Sequence, residues 1–238
     1  MASRRAAETL IEEGRVRING STVTQLATFV EPGQDRVELD GRRLSLPSAF
    51  TYFLLHKPVG TVTTASDPEG RPTVLNLVPS KPRVFPVGRL DVDTSGALLL
   101  TDDGGLTHRL LHPRYKVEKE YDVLAEGAMS EENIQRLRDG VMLEGRLTAP
   151  AKVTVTERRP GRTRLNIVLR EGRNRQIRRI LEEVGHAVVV LARLRFGPVV
   201  LGDLEPGLHR SLTPDEVKTL RRAVSGPSNG ARRQGRPR

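Results

Sequence analysis

The chain has 238 residues and a formal net charge of +10, from 39 Lys and Arg against 29 Asp and Glu. That length holds one sizeable core, or a medium domain with a small one, and a charge of this sign favours polyanionic partners, chiefly nucleic acid. With no cysteine the chain has no disulfide, thiol catalyst or thiolate metal site, and no run nears the roughly 20 apolar residues that cross a bilayer.

The opening MASRRAAETL has no apolar signal core, so a cytoplasmic protein is expected. Ser3 is placed to cap a helix with Ala7, Leu10 and Ile11 on one face, and Gly14 ends it. Arg15 to Ile18 alternates in polarity and Asn19-Gly20 makes a hairpin turn, which is a better reading of Asn19-Gly20-Ser21 than a glycosylation sequon. Val37-Glu38-Leu39 with Asp40-Gly41 suggests a second hairpin, and Leu46-Pro47-Ser48 a linker. Residues 1–46 carry no net charge and read as a small module of their own.

Residues 50–224 read as a larger body rich in strands. Phe53-Leu54-Leu55, Val84-Phe85 and Ala97 to Leu100 are short apolar runs that suit buried strands, while Tyr121 to Ala125 and Leu165 to Leu169 alternate. Ser130 caps a helix over 131–138 with Ile134 and Leu137 inward, and Thr213-Pro214-Asp215-Glu216 is a capping box. Strands and helices mix without regular βαβ alternation, which indicates an α+β fold. Residues 225–238 hold four Arg and no acid among Gly, Pro, Ser and Asn, so a disordered basic tail is expected.

Two segments carry chemistry. Residues 158–179 hold nine Arg and a single acid, Glu171. A helix with Ile177, Ile180, Leu181 and Val184 on its buried face turns Arg175 and Arg179 to solvent, where phosphates could meet them or water solvate them. Arg178 falls at the border of the apolar face, within reach of a pocket beside the core. The second segment, Gly88 to Gly96, runs a polar loop with Asp91 and Asp93 straight into an apolar strand, which could hold a carboxylate on the floor of a cleft. An ordinary Asp/Ser/Gly turn is the plain alternative. A calcium loop is rejected, because Asp102 stands where a bidentate Glu is needed and Pro86 interrupts an entering helix. The five histidines are read as offering no zinc-ligand spacing, so no metal is expected.

These residues resemble the RsuA/RluB-type bacterial ribosomal RNA pseudouridine synthases. The resemblance rests on Leu55 to Gly60, on Gly88-Arg89-Leu90-Asp91 through Gly104, on Lys119-Glu120-Tyr121, on Glu171 to Arg179, and on Val190 to Gly197. It implies a catalytic domain with a mixed, largely antiparallel sheet and flanking helices, and no cofactor. It implies that Asp91 is the catalytic carboxylate, that Arg178 partners it, and that Tyr121 stacks on the base or acts in proton transfer. Arg89, Leu191, Arg173, Arg175, Gln176 and Arg179 are then expected to contact the substrate, with Leu191 beneath the uracil. Without the resemblance, Tyr121 and Leu191 would read as core.

The first module resembles an S4 RNA-binding domain through Ala2-Ser3-Arg4-Arg5, Leu10-Ile11 and Gly14 to Gly20, but lacks that domain's upstream helix. A truncated module or a start upstream of Met1 is the expectation, and with it little net stability for residues 1–46. Ribosomal RNA is the implied partner of a monomer, with large-subunit RNA favoured because Arg173 to Arg179 looks nearer the RluB branch. Two competing readings are a non-catalytic RNA-binding protein, which leaves the second domain without a task, and a glycosidase, which needs two carboxylates across one bond.

Overall fold

The structure, a computed structural model, describes residues 4–31, 33–45 and 49–225. It divides into two compact units, 1–50 and 51–238. The expected cap Ser3, the linker 46–48 and the tail beyond Ser225 lie outside the described residues.

In the first unit, α1 (Arg4–Glu12) precedes β1 (Val16–Ile18), β2 (Ser21–Val23), β3 (Val37–Leu39) and β4 (Arg42–Arg43). The strands form an antiparallel sheet in the order β2-β1-β3-β4. Asn19 and Gly20 both take positive φ between β1 and β2, as an Asn-Gly hairpin turn requires. Ala7, Leu10 and Ile11 are only half-buried, and no apolar residue described in this unit is fully buried.

The second unit holds β5 (Tyr52–Lys57), β6 (Phe85–Pro86), β7 (Ser95–Thr101), α2 (Gly104–Leu111), a 3-10 turn (Pro113–Tyr115), β8 (Lys119–Glu126), α3 (Glu131–Asp139), β9 (Met142–Leu143), β10 (Arg146–Leu147), β11 (Lys152–Arg159), β12 (Arg162–Leu169), α4 (Gln176–Glu183), β13 (Val188–Phe196), β14 (Val199–Val200), β15 (His209–Ser211) and α5 (Pro214–Ala223). Seven strands run in the order β11-β12-β8-β13-β7-β5-β15, with β14 beside β13 and β6 beside β7. Every pair is antiparallel except β13 with β7. This is the mixed, largely antiparallel sheet of an α+β fold. The expected strand at Val84-Phe85 is shifted by one: Val84 is buried but unpaired, and Phe85–Pro86 makes the short ladder to β7.

Both faces of the centre are covered. Leu54, Ala97 and Leu99 pack with Leu106, Leu110, Phe196 and Leu220 on one side, and Leu55, Leu98 and Leu100 with Val74 and Val78 on the other. That double burial is why β7 reads as an unbroken apolar run rather than an alternation. A separate cluster joins α3 and α4 to β8 and β12 through Ile134, Leu137, Leu165, Ile167, Ile180 and Leu181.

The caps follow the sequence. The Ser130 hydroxyl accepts from Asn133 N, Gly140 leaves α3 at φ 111°, and Thr213 with Glu216 completes a capping box. One glycine fixes the sheet's centre. Gly96 has φ 108°, and a Cβ placed there would stand 2.2 Å from the Arg193 carbonyl oxygen. Only a residue without a side chain lets β7 and β13 approach this closely.

Candidate active site

The catalytic loop expected from sequence lies between β6 and β7 and is strapped from behind. Thr63 Oγ1 donates to Leu90 O at 2.7 Å, and Gly60 N donates to Val92 O at 2.8 Å. Thr94 N donates back to Asp91 O at 3.1 Å. Beneath the loop Lys57 is fully buried, its ammonium donating to Thr94 O at 2.7 Å and Pro58 O at 3.0 Å. Loss of hydration pushes its pKa down to about 8 against the attraction of Asp93 and Asp91. A buried cation therefore lies behind the two carboxylates, which the Lys-Pro pair in sequence did not disclose.

The loop faces the entry to α4. Arg175 caps this helix in the left-handed region, at φ 48°. Its Nη1 lies 3.8 Å from Asp91 Oδ2 and its Nη2 lies 3.4 Å from Asp93 Oδ2. Arg178, with 15% of its side chain exposed, bonds Asp93 instead: Nη2 donates to Asp93 O at 3.0 Å and stands 3.2 Å from Asp93 Oδ2. The expected pairing of Arg178 with Asp91 is thus replaced in this geometry. Asp93 holds Arg178, and Arg175 is the guanidinium nearest Asp91. The reason is the turn before α4, which swings Arg175 over the loop while Arg178 stays one helical turn deeper.

The same turn builds a wall. Glu171 Oε1 accepts from Ala149 N at 3.1 Å and from Gln176 Nε2 at 2.5 Å, and Arg173 N donates to Gln176 Oε1 at 3.0 Å. Arg173 Nη1 and Nη2 donate to Arg146 O and Leu147 O at 3.1 and 2.7 Å. The polar groups of Arg173 and Gln176 are therefore engaged by the fold. Arg179 is not turned fully to solvent as the helical wheel expects; its Nη2 meets Glu144 at 2.9 Å.

A cleft of about 430 Å³ opens between these parts. Asp91, Arg89, Arg173, Arg175 and Gln176 line it from the loop and the turn, and Tyr121 and Leu191 from the sheet. Arg178 and Arg179 stand outside its lining. Sequence reasoning missed Lys119, Arg193 and Phe196 on its floor. Strand periodicity places Arg193 on the face of Leu191, two residues before it, and Lys119 on the face of Tyr121. What it could not show is that β8 and β13 are neighbours, with Arg193 opposite Tyr121 and Phe196 opposite Lys119.

His108 on α2 and His112, the C-cap just past it, stand four residues apart, so the reading that no histidines have ligand spacing is corrected. Their rings meet edge-on at 5.7 Å, and no group of three or more potential ligands forms among the described residues. Nor is any helix among them long and apolar enough to cross a membrane.

Lys57 and Lys119, both pushed down to about 8, set a pH dependence of stability. Folded, each binds its proton less tightly than unfolded, where the value is 10.5. The unfolded chain therefore holds more protons above pH 8, and stability should rise with pH from about 8 to 10. Tyr52, raised to about 12 by burial and its bond to Asp103, opposes this above 10. Urea midpoints across this window should show the rise, and Lys57→Met should flatten it. A midpoint falling from pH 8 to 9.5 would contradict the assignment.

Residues 51–183 match the family model described as RNA pseudouridylate synthase, and residues 1–37 match the S4 domain. The chain is 42% identical over 224 residues to ribosomal large subunit pseudouridine synthase B of Bacillus subtilis (strain 168), covering 93% of this chain and 91% of that protein. It is 41% identical to the Pseudomonas aeruginosa protein of that name, over 94% of this chain and 60% of that one. A crystal structure of a pseudouridylate synthase superposes with a TM-score of 0.68 at 32% identity, covering 92% of this chain and 94% of that one.

Proposed function

The chain belongs to the RNA pseudouridylate synthase family and carries an S4 domain, and from that premise we propose that it isomerises a specific uridine of ribosomal RNA, in the large subunit, to pseudouridine, with Asp91 acting at the sugar. The observation that carries this reading is the position of Asp91. It sits at the wall of a cleft floored by Tyr121, Leu191 and Phe196 and rimmed by Arg89 and Arg175.

The reaction breaks the N1–C1′ bond, turns the base and joins C5 to C1′. Atoms and electrons are conserved, so the chemistry requires no cofactor. It requires an anion beside C1′ and a chamber that keeps the detached base. Asp91 supplies the anion. Arg175 and the buried Lys57 hold positive charge near it, and the 60–63 strap keeps the loop rigid. Tyr121 and Leu191 receive the flat base. A uridine in folded RNA reaches such a cleft only after flipping out, at a cost of a few kcal/mol. Phosphate contacts from the rim arginines and the S4 unit offset that cost.

Arg178 acts by holding Asp93 and through it the loop that carries Asp91. Arg178→Met should lower single-turnover isomerisation by about 100-fold, because small misplacements of a reacting group are costly. Arg179→Met, which loses only a surface pair with Glu144, should stay within about threefold and weaken RNA binding slightly. Equal losses at saturating RNA would refute the distinction.

The function itself is tested by incubating the purified protein with ribosomal RNA transcripts of both subunits and mapping pseudouridine. One modified large-subunit position is expected, and the same position should lack pseudouridine in cells without the gene. No pseudouridine on either RNA would overturn the reading, and a small-subunit site would correct the subunit.

A further inference from the structure

The cleft floor holds two cations that this chemistry has not yet used. Arg193 is 2% exposed. Its Nε donates to Ala97 O at 2.7 Å, and its guanidinium carbon lies 5.1 Å from the Phe196 ring centre. Its Nη2 is buried and bonds nothing. Lys119, on the neighbouring strand, places its ammonium 3.1 Å from Val117 O and 5.7 Å from the same ring. Neither forms an ion pair among the described residues.

Arg195, two residues further along β13, is paired with Glu120 and Glu118, and Arg178 with Asp93. A buried charged donor left unsatisfied costs free energy that a paired one does not. The Ala97 contact ties β13 to β7 and accounts for Nε alone. It explains neither the free Nη2 nor the lysine beside it. Both cations line the cavity on either side of Tyr121 and next to Leu191, where the flat base is received.

We propose that Arg193 and Lys119 form the binding site for the anionic base released when the glycosidic bond breaks. This rests on the pseudouridine synthase reading. When C1′–N1 breaks, the electron pair leaves with uracil, whose negative charge spreads over N1, O2 and O4. C1′ gains a bond from the Asp91 carboxylate or C2′ gives its proton to Asp91, and the inference holds for either. Rejoining forms C1′–C5 and reverses the Asp91 step. C5 then loses a proton and N1 takes one, so nothing is gained or lost overall. Donors fixed in advance where charge develops act on the transition state of the first step. Burial holds the Lys119 pKa down to about 8, so an arriving anion restores stabilisation that the ammonium lacks.

The alternative source of negative charge is an RNA phosphate, and the leaving group separates the two. 5-Fluorouracil departs as a weaker base and needs less charge stabilisation. Single-turnover loss of the target nucleoside would be measured for wild type and Arg193→Gln, with RNA carrying uridine or 5-fluorouridine at the target. Arg193→Gln should slow the uridine reaction by about 100-fold or more. The slowing should be at least about tenfold smaller with 5-fluorouridine. RNA affinity should stay within about twofold, and Arg193→Lys should recover part of the rate. Equal slowing on both RNAs, or a loss of affinity in place of rate, would overturn the proposal. Should Arg193→Gln fail to fold by circular dichroism, Lys119→Met carries the same comparison. A wild-type protein that makes no pseudouridine overturns the parent reading. Normal wild-type activity with an unaffected Arg193→Gln overturns this one alone.

Discussion

Asp91→Asn should reduce pseudouridine formation by about 1000-fold or more, because it removes the one anion placed to act at C1′ while keeping the side chain's volume. The fold should survive. Asp91 caps nothing and is half-exposed, and the loop is held by Thr63, Gly60 and Lys57 through backbone atoms that the substitution leaves alone. RNA affinity should be unchanged or slightly higher, since a negative charge leaves a basic cleft. Rapid-quench assays at saturating RNA, with melting curves of both proteins, test this. Substantial product from the variant would remove Asp91 from the mechanism. Asp93→Asn should cost more than its place outside the chemistry suggests, because Arg178 and Arg175 both meet its carboxylate.

Gly96→Ala should be the most damaging small substitution in the sheet. The added methyl meets the Arg193 backbone at 2.2 Å, and φ 108° is strained for any L side chain. Backbone strain and overpacking together should cost about 3 kcal/mol or more. For a chain of this size that lowers the melting temperature by roughly 6–12 °C. Gly60, which also has positive φ but open space around its Cβ position, makes the control, and Gly60→Ala should cost about 1–2 kcal/mol. Equal melting temperatures for Gly96→Ala and wild type would show that β7 and β13 can part without loss.

These two positions also mark what could be read from the chain alone. Asp91 was legible because a polar loop runs into Ala97 to Leu100, and the motifs around it point to one family. Ser130, Gly140 and the Thr213 box announced their helices through local hydrogen bonding. Helix α2 was not legible: Gly104-Gly105 reads as a break, yet the Asp103 carboxylate accepts from Leu106 N at 2.8 Å and starts a helix there. Strand β11 was hidden by charged residues on its exposed face. The exchange of partners between Arg175 and Arg178 depends on a left-handed residue at 175, which no propensity for Arg foretells. Lys119 and Arg193 were visible as residues but not as a pair, because strand adjacency is set by the whole sheet.

The parallel pairing of β13 with β7 joins Ser95 to Ala192, about 100 residues later in the chain. During synthesis, β5 and β7 can zip as a hairpin-like pair well before β13 exists. At roughly 5–20 residues per second, the Ser95–Gly96 end of β7 then waits on the order of 5–20 s for its partner, while β6 already covers Leu100 and Thr101 on the same edge. That end leads into Ala97 and Leu98, a short open edge that invites pairing with other nascent chains. Chaperone dependence of this protein should therefore be concentrated in the interval between the emergence of β7 and that of β13. A ribosome-bound chain halted before residue 188 should expose the Asp91 loop to protease and carry no activity.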